Sequence, residues 1–113
     1  MAFLRKIPVA DARVPAIVLG EIKQGVYRNL TPELRQFLED VLTLRVASFD
    51  EMEALAWGEM TAKALAQGRT VFVRDSLIAA TARARQWTVA TRNTADFSGF
   101  DIKLFDPFNE QLQ

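Results

Sequence analysis

The sequence predicts an α/β fold, a mainly parallel sheet flanked by helices, and three observations lead there. Short apolar or β-branched runs alternate with segments whose apolar residues recur at helical spacing. The resulting order, strand, helix, helix, strand, helix, helix, strand, strand, is the alternation that builds parallel sheets with helices on both faces. The chain has 113 residues, half of them hydrophobic, which suits one domain, residues 1–113, with one core.

The first stretch, residues 1–15, reads as irregular: Pro8 interrupts its apolar beginning, and Asp11 and Arg13 precede Pro15. Ala16-Ile17-Val18-Leu19 is a continuous apolar run of the kind buried on both faces of a parallel sheet. Gly20-Glu21 breaks it, and apolar residues at 22, 26, 27 and 30 predict a short helix, so Glu21 falls at a strand-to-helix junction. Thr31 and Pro32 read as the N-cap and first residue of the next helix. Its apolar face is Leu34, Phe37, Leu38, Val41 and Leu42, and it ends near Leu44.

Arg45 to Phe49 predicts a short strand, and Asp50 with Glu53 forms a capping box that opens a helix running to about Gln67. Gly68 is its stop. Met52, Leu55, Ala56, Met60 and Ala64, with Trp57 beside them, are its expected core face. Val71-Phe72-Val73 reads as a strand or as a packed loop. Asp75 then opens a helix whose face of Leu77, Ile78, Thr81, Ala82 and Ala84 leads to Gln86 and Trp87. Thr88 to Thr91 is a β-prone run, Arg92 to Asp96 a polar loop, Ser98 to Phe100 a turn, and Ile102 to Phe105 a last strand before Pro107. Asp96 therefore lies just past a strand end.

Composition narrows the chemistry. There are 14 basic and 14 acidic residues, so net charge gives no general attraction to nucleic acid, and contact with a polynucleotide would have to come from local patches or bound metal. The absence of cysteine and histidine removes disulfides, thiolate nucleophiles, imidazole bases and the usual zinc sites. No run approaches the length needed to span a bilayer, and Met1 onward lacks a signal-peptide core, so no membrane role and a cytoplasmic location are expected.

Carboxylates are what remains. Ligands of a parallel sheet bind outside the carboxyl ends of its strands, and Glu21, Asp75 and Asp96 all sit at element ends that such a sheet would bring to one edge. Clustered like charges repel unless a cation neutralises them, and a hard divalent ion with oxygen ligands does so. Mg²⁺ or Mn²⁺ held there would acidify a water and stabilise charge developing on a phosphate, a route to phosphodiester cleavage without histidine or cysteine. Each acid also has a plainer reading: Asp75 as a helix N-cap, Glu21 as a solvated first-turn acid, Asp96 as an Asx-turn residue. Position alone leaves both readings open.

LGEIKQG at 19–25, RDSLIAATA at 74–82 and TRNTADF at 91–97 resemble three successive motifs of PIN-domain proteins, in particular VapC- or FitB-like toxins of bacterial toxin–antitoxin pairs. AWGEMTAKALAQGR at 56–69 fits the same pattern, and the likeness runs from about Ile17 to Pro107. It implies a PIN-like three-layer α/β fold and metal-dependent cleavage of RNA. It further implies inhibition by a cognate antitoxin and a homodimer. On the matching positions it makes Glu21, Asp75 and Asp96 ligands of Mg²⁺ or Mn²⁺, with Asn93, Thr91 and Arg92 as supporting polar neighbours. Arg69, Arg74, Arg83 and Arg85 join Arg92 as candidates for holding phosphates, against the plainer reading of solvated helix faces.

One part of the family pattern is missing. Members usually begin with an apolar strand ending in an Asp-Thr-Asn-type motif, which supplies the first metal aspartate and the centre of the sheet; nothing in Met1 to Pro15 reproduces it, and Asp11 is the only acid there. The expectation is a sheet without its usual first strand, its place taken by Met1 to Val9, by closure of the remaining strands, or by another chain, because open strand edges inside a sheet leave backbone groups unpaired. Two alternatives to an active ribonuclease follow: a PIN-like protein kept for dimerisation or antitoxin binding, and an α/β oligomer whose acids are helix caps.

Overall fold

A computed structural model describes residues 11–107 and the backbone of Gln111 and Leu112. The expectation for Met1 to Val9 lies outside the described residues. The chain forms two compact units, Met1–Ser48 and Phe49–Gln113.

In the first unit, β1 (Arg13–Pro15) runs straight into α1 (Ala16–Arg28), followed by α2 (Pro32–Val41) and β2 (Arg45–Ala47). The two strands pair in parallel, with Val14 opposite Val46, so α1 and α2 form the crossover that a parallel pair requires. Ala16 to Leu19, expected as a strand, is the first turn of α1, and the strand is the three residues before it. An apolar run this short does not distinguish a strand from a helix, and here it continues a helical stripe: Val18, Leu19, Ile22 and Val26 are half-buried while Ile17 and Tyr27 are exposed. Pro15, extended at ψ 142°, stands at the N-cap and starts the helix. Glu21 is thus inside α1 rather than at a strand-to-helix junction. Helix α2 starts as expected, the Thr31 hydroxyl oxygen accepting the Leu34 N–H at 3.1 Å with Pro32 as the first helical residue.

The second unit contains α3 (Glu51–Ala66), α4 (Val73–Arg85), β3 (Thr88–Ala90), a 3-10 segment (Thr94–Phe100), β4 (Lys103–Asp106) and β5 (Gln111–Leu112). Strand β3 pairs in parallel with β4, and β4 antiparallel with β5. The expected capping box is present at the start of α3, and Gly68 takes φ +75° beyond its end, in the left-handed region where a side chain is strained. Val71 to Val73 is no strand: Phe72 is the extended N-cap of α4 and Val73 its first residue. The Ser76 N–H donates to Phe72 O at 2.9 Å, so the local helix start overrides the β propensity of two valines.

The α3 core face differs from the expected one. Glu53, Met60, Thr61 and Ala64 are buried, with Ala56 and Trp57 half-buried, whereas Met52 and Leu55 are exposed. The stripe is rotated by about one residue because two polar groups find partners across the α3–α4 contact. Glu53 receives the Asp50 N–H at 2.9 Å and Arg85 Nε at 3.1 Å, while Trp57 Nε1 donates to Ser76 Oγ at 2.9 Å. A buried carboxylate is tolerated on such terms and costly without them. From α4 the packing surface is small: Ser76, Ala79, Ala80, Thr81 and Ala82 are buried with Ile78, which lets the two helices approach closely.

Candidate active site

The second unit holds a cavity of about 470 Å³ whose wall includes both Asp75 and Asp96. Asp75 is in the first turn of α4 but is not its cap, since Phe72 occupies that position. Its side chain is 17% exposed, and Arg74 Nη1 donates to its Oδ1 at 3.0 Å. The backbone that carries it is fixed by its neighbour Ser76, whose hydroxyl accepts from Trp57 and donates to Val73 O at 2.7 Å. Asp75 therefore projects from a helix start anchored on both sides of the turn.

Asp96 sits in the 3-10 segment, where a polar loop was expected, and its exposed side chain lines the same wall. Phe97, buried beside it, pins the segment. The tight-turn chemistry belongs to Thr91 instead of Asp96: the Thr91 hydroxyl accepts the Asn93 N–H at 3.0 Å, and the Thr91 N–H donates to Phe105 O at 2.9 Å. Asn93 precedes the segment as its N-cap, and the Asp96 N–H closes back on Asn93 O at 3.0 Å. Thr91, Arg92 and Asn93 shape the approach to Asp96 and are not part of the cavity wall.

Glu21, the third expected acid, is a half-buried residue of the first unit. Among the described residues no three His, Cys, Asp or Glu side chains gather as a metal-holding group. Asp75 and Asp96 remain as two oxygen donors on one wall, and Mg²⁺ commonly takes one or two protein carboxylates and completes its shell with water and phosphate oxygens.

The arginines have structural partners. Arg69 Nη1 donates to Gly99 O at 2.6 Å, Arg83 Nη1 to Asp101 O at 2.9 Å, and Arg85 to Glu53. With Arg74 on Asp75, four of the expected phosphate holders are engaged within the unit. Sequence reasoning missed the Trp57–Ser76 bond and the meeting of Arg69 with Gly99. A serine next to Asp75 and a Gly-Arg pair after a helix were the available signals, but neither reveals a partner 19 or 30 residues away.

The second unit thus places two acids on one cavity wall, Asp75 in the first turn of α4 and Asp96 in the 3-10 segment that joins the parallel strands β3 and β4. No protein-family model matches the chain. It is 30% identical over 118 residues to toxin FitB of Neisseria gonorrhoeae, covering 97% of this chain and 85% of that protein. It is 29% identical over 108 residues to the VapC ribonuclease Y4jK of Sinorhizobium fredii, covering 94% of this chain and 74% of the relative. The crystal structure of FitAcB from Neisseria gonorrhoeae superposes with a TM-score of 0.80 at 30% identity, covering 95% of this chain and 83% of that one. The chain belongs to the VapC/FitB-like family of PIN-domain toxins. The short parallel strands and flanking helices of the two units agree with that fold.

Proposed function

We propose that this chain is the toxin of a toxin–antitoxin pair and cleaves RNA phosphodiester bonds at the Asp75–Asp96 wall with the help of Mg²⁺ or Mn²⁺. The observation that carries the reading is that two acids from separate family-like motifs, RDSLIAATA and TRNTADF, line one cavity. The name of the relative Y4jK, a VapC ribonuclease, supports the reaction class.

Asp75 and Asp96 are the residues that would hold the ion, which when bound supplies a more acidic water and neutralisation of charge developing on the phosphate. The protein's own part is positioning. Helix α4 carries Asp75 on a turn locked by Ser76, and the 3-10 segment carries Asp96 on a backbone pinned by Phe97. Fixed acids lose little freedom when they engage a ligand, which is the advantage of a pre-arranged site. The guanidinium of Arg74 stands on Asp75 at 3.0 Å and offsets its charge.

The test is cleavage of a structured RNA by the purified chain with Mn²⁺ or Mg²⁺, beside Asp75→Asn and EDTA. Wild-type cleavage should fall at least about 100-fold in the variant, the order expected when a charged group that acts directly on the reacting centre is lost. Cleavage untouched by both treatments overturns the site.

The cognate antitoxin is part of the same proposal, as solved relatives of this fold are toxin–antitoxin complexes. Co-expression with a cognate antitoxin should yield a stable complex, and failure of the two to co-purify would count against the pairing. No helix among the described residues is long and apolar enough to cross a membrane.

A further inference from the structure

We propose that Arg69 is a positioning residue for Asp96, acting through the carbonyl of Gly99, instead of a contact for the RNA backbone; this rests on the reading of Asp75 and Asp96 as the metal-holding acids. The bond spans 30 residues of sequence: Arg69 Nη1 donates to Gly99 O at 2.6 Å. Gly99 lies in the same 3-10 segment as Asp96, so the guanidinium grips the strip of backbone on which that carboxylate stands. Both Arg69 and Gly99 share the cavity wall with Asp75 and Asp96.

The start of the arginine is fixed as firmly as its end. Helix α3 closes with Gly68 at φ +75°, and the Arg69 N–H turns back to donate to Ala64 O at 3.0 Å. That left-handed closure aims the Arg69 side chain away from the α3 axis and toward the 3-10 segment. Gly99 explains itself from the other side. A Cβ there would collide with the Arg69 guanidinium, and the three nearest atoms it would meet all belong to Arg69. Its φ is outside the left-handed region, so conformational freedom is not what requires glycine. The atom met is the far end of a flexible side chain, so an added Cβ displaces the guanidinium and not the backbone.

Outer partners that orient a metal-holding carboxylate typically cost 10- to 100-fold in metal affinity or activity when removed. A phosphate contact behaves differently, weakening substrate binding while leaving turnover of bound substrate in place. These two roles can be separated.

The experiment compares Arg69→Ala, Gly99→Ala and the double variant in the full chain by three measurements. Amide hydrogen exchange across residues 94–100 reports the segment itself and needs no metal. Mn²⁺ titration followed by electron paramagnetic resonance reports the acids. RNA cleavage reports kcat and KM. Arg69→Ala should speed exchange at 94–100, lower Mn²⁺ affinity about 10-fold and lower kcat with KM nearly unchanged. Gly99→Ala should mimic it, and the double variant should be no worse than Arg69→Ala alone, since the three atoms nearest the added methyl group all leave with the arginine side chain. Unchanged exchange, or a raised KM with unchanged kcat, overturns the proposal, as does a double variant whose losses multiply. Faster exchange in Arg69→Ala with no Mn²⁺ binding by the wild-type chain would remove the metal reading and keep the tie between Arg69 and the Asp96 segment.

Discussion

Helices α1 and α4 each carry an acid that the motifs single out, yet they are built in opposite ways. Helix α4 buries Ser76, Ile78, Ala79, Ala80, Thr81 and Ala82, and its first turn is tied to α3 through Trp57. Helix α1 has no buried residue, and Tyr27 on it is 88% exposed. Asp75 therefore inherits a backbone fixed by packing within its own unit, whereas Glu21 stands on a helix without a buried residue. A carboxylate is only as well placed as the element beneath it, and that element is held by small side chains and satisfied polar pairs rather than by apolar bulk.

The largest effect that tests this contrast comes from adding atoms to α4. Ala79 is fully buried, so Ala79→Leu overfills the α3–α4 contact and should cost about 3 kcal/mol in urea unfolding. A loss below about 0.5 kcal/mol would show that α4 is as loosely held as α1.

Next is the polar tie. The Asp50 N–H holds the Glu53 carboxyl below its ordinary pKa; burial opposes this, and Arg85 adds to the lowering. A carboxyl lowered on folding contributes stability that is present above its unfolded pKa, about 4.3, and is lost as pH falls through the folded value. The urea midpoint of the wild-type chain should therefore fall between about pH 5 and about pH 3. Glu53→Gln should start from a lower midpoint and show a flatter fall over that window. An identical slope in both would remove Glu53 as the source.

The smallest effect has the opposite sign. A Cβ at Gly25 of α1 meets nothing within 4 Å, so Gly25→Ala should stabilise the chain by about 0.5 to 1 kcal/mol, the usual cost of glycine in a helix interior. Destabilisation in thermal melting would reveal packing on α1 that the first unit does not show.

Local chemistry was legible wherever it is written within a few neighbouring residues. Thr31-Pro32, the Asp50–Glu53 box, Gly68 as a helix stop and the closure of α4 at Gln86 were all readable, because a cap needs only residues three or four apart. One apolar run misled. Ala16 to Leu19 carries β-prone side chains but forms helix, and of the two readings of Val71 to Val73 the loop leading into α4 is the one realised, since strands of three or four residues are decided by available partners and not by propensity. The core face of α3 was misplaced for a related reason: Met52 and Leu55 look like core until Glu53 and Trp57 are seen to have partners on α4.

By itself, the sequence determined the α/β class and the family, and it singled out Glu21, Asp75 and Asp96 as candidates, because motif order and capping are properties of consecutive residues. Tertiary structure alone decided that Asp75 and Asp96 share one wall, that Thr91 takes the turn, and that Arg69 is spent on Gly99. The physical reason is distance along the chain. A hydrogen bond reaching 30 residues leaves no mark in the local pattern, since any arginine and any glycine read alike until the fold brings them together.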